Sequence, residues 1–255
     1  MASGRMPPSP LLLATLHLHA ALPALGMLAA HDETLRHAAG GSREFAVTLS
    51  VRGIPESLRI VFLANGTITT STEAARPGDL RLWFPSAGQF LRTVAHRPAL
   101  TLPLAGWSQL PQVRRFSAAG ARLEALLTTC TETHLALHAW GSLLVGIRAS
   151  ITWLRLHPAD HAHLSCGTVI FTCPALPATL WIDLATLTVG TGEPATPVTA
   201  RITFANIATV LAELDHRLDA PAALGLGTLR IEGHLPLAEN LGILMLKVGK
   251  LLKKQ

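Results

Sequence analysis

At 255 residues, with 49% of them apolar, 15% charged and a mean hydropathy of +0.38, the chain is too apolar for a disordered protein and long enough for two ordinary domains. Its net charge of +5 is unevenly laid out: twelve arginines face seven acids in 1–127, nine basic residues balance nine acids beyond, and all four lysines lie in 247–254. No segment interleaves basic with aromatic side chains, which argues against a nucleic-acid partner, and three cysteines without a CxxC suit buried thiols in a reducing, cytoplasmic setting.

Taken in chain order, the first feature is the apolar run 11–30, LLLATLHLHAALPALGMLAA, which has the length of a signal sequence or membrane span. His17, His19 and Pro23 interrupt it, and its relative at 135–156 contains Arg148 and Arg155, so a folded amphipathic helix within 9–38 is expected. Strands follow at 45–51 and 58–63, and the alternation in LRLWF at 80–84 turns one face of a strand to the core. Ser86 then stands where a helix would start. The stretch 105–128 keeps a closing apolar helix but shows no glycine-framed strand.

A second long helix is expected over 131–156, with strands at 168–172 and 179–184. Gly190, Gly192, Pro194 and Pro197 predict a turn, after which 200–204 reads as a strand and Asn206 as the N-cap of a helix to Leu214. Three pairs of segments match in the same order at offsets close to 120 residues: LHLHA at 16–20 with LALHA at 135–139, IPESLRI at 54–60 with LPATLWI at 176–182, and LRLWFPSAGQFLRTV at 80–94 with ARITFANIATVLAEL at 200–214. Such self-similarity predicts a duplicated module, 1–128 and 129–255, the first copy being the more divergent.

Chemical motifs are scarce. His134 and His138 have a metal-binding spacing on a helix but lack the acid of a zinc-protease motif, and the loop HPADHAH at 157–163 reads as a solvated turn. Glycines 225, 227 and 233 fit no phosphate-binding pattern, no GxSxG elbow occurs, and no serine has a His and an acid near it. Cys166 and Cys173, on or beside apolar strands, are expected in the core; Asn65-Gly66-Thr67 matches a sequon. The chain is therefore expected to be no enzyme and to need no metal or cofactor.

In 200–252 the succession ARITF, NIATVLAEL, DHRLDAPAALGLG, GTLRIEG and a closing apolar helix resembles the sterol carrier protein type-2 family. The resemblance implies an α+β fold, here two tandem modules, each a curved, mostly antiparallel sheet packed with helices. It also implies an apolar tunnel for sterols, acyl chains or other lipids. The ending Lys253-Lys254-Gln255 departs from the Ser-Lys-Leu address of peroxisomal members. On this reading the second module is the better pocket. Its lining would include Trp181, Ile182, Phe204, Val210, Leu211 and Leu214, and further on Leu224, Leu229 and Ile231. The helix over 237–254 would close it with Leu241, Leu244, Met245 and Val248. Lys247, Lys250, Lys253 and Lys254 would touch anionic membranes transiently. The expected function is binding and carriage of a lipid or other hydrophobic metabolite; the alternative is a structural or interaction module, or an accessory domain of a lipid-metabolic assembly, without an open cavity. No protein partner follows from the sequence.

Overall fold

The first helix starts where the sequence supplies a cap. In the computed structural model, which describes residues 9–129 and 131–252, the Ser9 hydroxyl accepts the Leu12 N–H at 3.2 Å and Pro10 takes the first helical position, where its missing N–H costs nothing. Helix α1 (Pro10–Leu16) widens into a π turn, His17–Ala21, in which the Leu22 N–H reaches back five residues to the His17 carbonyl at 3.0 Å. Pro23 accounts for the widening: it has no N–H for the preceding turn and its ring crowds that turn's carbonyl. The helix resumes as α2 (Ala24–Ala29) and ends, and the Asp32 carboxylate caps a separate α3 (Glu33–Ala39) by accepting the Thr34 N–H at 3.0 Å. The single helix expected within 9–38 is thus broken at 30–32, because a side chain that caps so well starts a helix rather than continuing one.

The first sheet comprises β1 (Phe45–Val51), β2 (Leu58–Phe62), β3 (Ile68–Ser71), β4 (Leu80–Phe84) and β5 (Leu102–Ala105), in the order β3-β2-β1-β4-β5. Only β1 and β4 run parallel; the other pairs are antiparallel. Register places Val47, Leu49, Ile60 and Leu80 on one face, fully buried, and Thr48 with Arg59 on the other. After β4 the Ser86 hydroxyl accepts the Gln89 N–H and opens α4 (Ala87–Val94). Strand β5 lies just ahead of 105–128, which holds helix and no strand beyond Ala105, and it is an addition to the strands expected from the sequence: Pro103 hides the alternation, and it is tolerated because β5 lies at the sheet's edge. A short 3-10 turn, Trp107–Gln112, leads to α5 (Val113–Thr128).

The second half repeats this plan with α6 (Leu135–Leu156), α7 (Pro158–Ala162), β6 (Thr168–Thr172), β7 (Leu180–Asp183), β8 (Thr188–Thr191), β9 (Val198–Phe204), α8 (Ile207–Leu214), α9 (Ala220–Gly225), β10 (Leu229–Gly233) and α10 (Leu235–Leu252). The order β10-β9-β6-β7-β8, with only β6 and β9 parallel, is the arrangement of the first sheet. The matched segments hold equivalent places: 80–94 and 200–214 each form a strand followed by a helix capped from Ser86 or Asn206. The chain is thus an α+β protein with two five-stranded mixed sheets, and it divides into compact units Met1–Leu123 and Glu124–Gln255.

Gly190 lies inside β8 and not in the predicted turn. It faces Trp181 across the ladder, and a Cβ there would stand 2.2 Å from the indole, so glycine is required by its neighbour and not by a bend. Gly233 ends β10 with φ +87°, and a Cβ would meet the Thr199 carbonyl oxygen at 2.3 Å. Helix α10 starts two residues ahead of the expected 237, because the His234 imidazole accepts the Leu237 N–H at 3.1 Å. Two apolar stretches, Pro10–Ala29 and α6, are long and apolar enough to cross a membrane, and more than half of the most apolar part of each is buried in the protein.

Candidate functional site

Residues opposite one another in a ladder point to the same face, so register decides which predicted lining residues meet. Phe204 pairs with Leu229, Ile202 with Ile231 and Phe171, and Val169 with both Ala200 and Ile182. Ile182, Phe204, Leu229 and Ile231 therefore share one face. Helix α10 lies against β9, β10 and α6, with its Leu241, Leu244 and Val248 buried and the Met245 methyl 3.4 Å from where a Cβ on Gly146 would stand. Val210 of α8, which packs on α6, is also buried.

Trp181 does not belong with them. It pairs with Ile170, whose other partner is Arg201, and so occupies the opposite face from its sequence neighbour Ile182. Adjacent strand residues cannot line one cavity by side-chain direction. Leu224 is 45% exposed on the short helix α9 and lines nothing enclosed. Leu211, Leu214, Ile231 and Met245 are half-buried. On α8 this forms a stripe, Ile207, Leu211 and Leu214, at helical spacing beside the buried Val210. The C-terminal part of α10 passes the end of this helix, where the His216 ring stands 3.5 Å from the position of a Cβ on Gly249.

The expected membrane lysines fare unequally. Lys247 is engaged: its Nζ lies 3.1 Å from Asp160 Oδ2 and 4.2 Å from the centre of the Trp153 ring. Trp153 in turn donates its Nε1–H to Asp160 at 2.7 Å and stacks on His157 at 3.8 Å. These two hydrogen bonds hold the Asp160 carboxyl below its usual range. Lys250 is exposed, and Lys253 and Lys254 fall outside the described residues. The loop HPADHAH is not a solvated turn: it builds α7, Asp160 serves the lysine, and His161 Nε2 lies 2.7 Å from the Leu184 carbonyl oxygen. His138 Nδ1 lies 2.8 Å from the Leu126 carbonyl oxygen. Among the described residues no three His, Cys, Asp or Glu side chains converge as metal ligands. Cys173 is buried as expected, whereas Cys166 is exposed, in the irregular stretch before β6 where no partner strand covers it; Cys130 is outside the described residues.

Sequence reasoning missed a polar site in the first module. Arg59 and Asp79, both almost fully buried, join through Nε–Oδ2 at 2.8 Å and Nη2–Oδ1 at 3.1 Å, and Asp79 also accepts from the Arg76 N–H at 2.8 Å and the Thr48 hydroxyl at 3.3 Å. Burial alone pushes the Asp79 carboxyl up, but these donors outweigh it and hold it below its ordinary range. The pair forms one wall of a recess of about 340 Å³ with Glu44, Arg76 and Gln109. A second recess, of about 310 Å³, is lined by Arg36, His37 and Asn65. Neither is the apolar pocket expected of the second module. The available signal was a lone arginine in LRIVF, a strand otherwise wholly apolar and buried.

Several solved sterol carrier protein 2 structures match parts of the chain, as the resemblance of 200–252 leads one to expect. The sterol carrier protein domain 2 of Helicoverpa armigera is 13% identical over 43% of this chain and 89% of its own, at a TM-score of 0.34. Palmitated SCP2L2 from Aedes aegypti is 21% identical over 38% of this chain and 91% of its own, at 0.28. The inverting sec-alkylsulfatase Pisa1 from Pseudomonas sp. is 13% identical over 55% of this chain but only 28% of its own, at 0.26. No family model and no curated protein matches. At TM-scores this low the fold rests on the strand order and register described above.

Proposed function

We propose that the second module binds a lipid acyl chain or a similar apolar molecule without acting on it, and carries it. The observation behind this is the half-buried apolar stripe Ile207, Leu211, Leu214 on α8, beside the fully apolar sheet face of Phe204, Leu229 and Ile182 and flanked by α10. An apolar chain inserted there gains about 0.8 kcal/mol per CH₂ group, so affinity needs area and shape more than polar contacts. The palmitated state of the Aedes aegypti protein supports an acyl chain as the ligand class. Entry requires α10 to shift. Lys250, with Lys253 and Lys254, would bring that helix to an anionic surface.

A second reading has its own observation: Leu226, Leu235 and Ile243 are 79%, 57% and 58% exposed, apolar surface that a protein partner would cover. Native mass spectrometry of the purified chain separates the two. A co-purifying, extractable lipid is expected. A ligand-free protein that also fails to take up fluorescent fatty acid or sterol would leave the interaction module.

Gly242 tests the moving helix. It lies inside α10 with nothing within 4 Å of a prospective Cβ, so Gly242→Ala is expected to raise stability by about 0.5–1 kcal/mol and to slow ligand uptake. Chemical denaturation and stopped-flow uptake report the two effects; faster uptake by the stiffened helix would remove α10 as the gate.

A further inference from the structure

The two sheets differ most where their last strands meet water. Gly106 and Gly233 hold equivalent places, since a Cβ on either would strike the carbonyl oxygen just ahead of the aligned strand, that of Asp79 or Thr199. Counting back from them, register pairs Arg201 with Glu232 and Thr203 with Arg230 on the outward face of the second sheet, and Arg230 and Glu232 form an ion pair at 2.6 Å. At the same positions the first sheet pairs Arg81 with Ala105 and Trp83 with Leu102. Leu104, 60% exposed, is added where the ladder shifts. Beyond the glycine the second module enters α10 at Leu235, whereas the first inserts the 3-10 turn, which exposes Trp107 at 62% and Leu110 at 39%. A face that is polar in one copy has become apolar in the other, and apolar surface gathered in this way marks a contact.

The charge around it has one sign. No Asp or Glu occurs between Asp79 and Glu124, a stretch with six arginines. Arg115 is occupied by the carbonyls of Ala39, Arg43 and Leu63, and Arg122 by Asp32. Arg81, Arg92, Arg97 and Arg114 are exposed, and no described carboxylate pairs with them. We propose that the β5 edge and the 3-10 turn dock the first module on an anionic lipid bilayer, with Leu104, Trp107 and Leu110 entering the head-group zone and Arg81, Arg97 and Arg114 meeting lipid phosphates. Tryptophan suits that boundary, its ring apolar and its N–H wet. The exposed side chains stand out singly from a strand edge and a turn, a relief that a fluid bilayer accommodates and a protein partner would have to match in shape. This surface is separate from the lysines of α10 and does not depend on the second module holding a ligand.

The test is flotation of the full chain with vesicles of phosphatidylcholine alone, or of equal parts phosphatidylcholine and phosphatidylglycerol. Leu104→Ser with Trp107→Ser is expected to weaken binding to the anionic vesicles at least about 10-fold. Arg97→Gln with Arg114→Gln should weaken it by roughly fivefold per arginine at low salt, with little further loss at high salt. Lys250→Gln with Lys253→Gln and Lys254→Gln should retain most of it. The substituted side chains are exposed, so each variant should melt with wild type. Should the serine variant melt lower, quenching by brominated anionic lipid decides: wild type is expected to lose a fraction of its fluorescence that Trp107→Phe does not, and identical quenching would overturn the proposal. Equal partitioning into the two vesicle types, or a loss confined to the lysine variant, would overturn it as well. So would a chain that ignores vesicles but forms a dimer dispersed by the serine substitutions, which would give the surface to a second copy.

Discussion

Asp79→Ala is expected to destabilise the first module by about 3–5 kcal/mol, because it strands the buried Arg59 guanidinium and removes the acceptor of the Arg76 N–H and the Thr48 hydroxyl. The cost lies in the orphaned charge more than in the pair's own attraction. Replacing both residues, Arg59→Met with Asp79→Leu, should therefore recover most of the loss. The pair also sets an acid limit. Asp79 titrates lower folded than unfolded, so its stabilisation is complete above the unfolded value of about 4 and disappears as pH falls through the folded value. Urea unfolding at neutral pH and in acid should show wild type losing more stability on acidification than Asp79→Ala does. An alanine variant within about 1 kcal/mol of wild type would mean that water already solvates the pair.

In the second module, Phe204→Ala is expected to cost about 3–5 kcal/mol. Phe204 is 2% exposed, pairs with Leu229 across the sheet and begins the turn into α8, so its ring is at the junction of strand and helix. The size of the loss also reports on the cavity. If α8 and α10 collapse into the space, the penalty falls toward the lower figure and acyl-chain capacity shrinks with it; if the space persists, the penalty is larger and the variant gains room for a bulkier ligand. A loss below about 1 kcal/mol would show that the apolar face is not the module's core.

Local signals were read where one segment contains all the physics. LRLWF and ARITF alternate as half-buried strands should, Ser86 and Asn206 cap the helices that follow, and 168–172 is a strand with the expected limits. What was missed depends on neighbours distant in sequence. Gly190 looks like a turn residue until Trp181 is known to lie across the ladder from it. Trp181 looks like a lining residue until register puts it on the face of Ile170 and Arg201. Arg59 and Asp79, 20 residues apart, become partners only when β2, β1 and β4 are laid side by side. Arg148 was legible as a reason to doubt a membrane span, but that its Nε is shielded without a hydrogen-bond partner is a property of packing.

Strand β5 carries a different consequence, for solubility during folding. It is an edge strand, it exposes Leu102 and Leu104 at 37% and 60%, and an apolar edge of that kind templates the addition of strands from other molecules. Pro103 sits between the two leucines and removes a backbone donor, while the register shift opposite, between Arg81 and Leu82, spoils the regular ladder an incoming strand would continue. The residue that concealed this strand in the sequence is thus the one that keeps it from recruiting copies of itself.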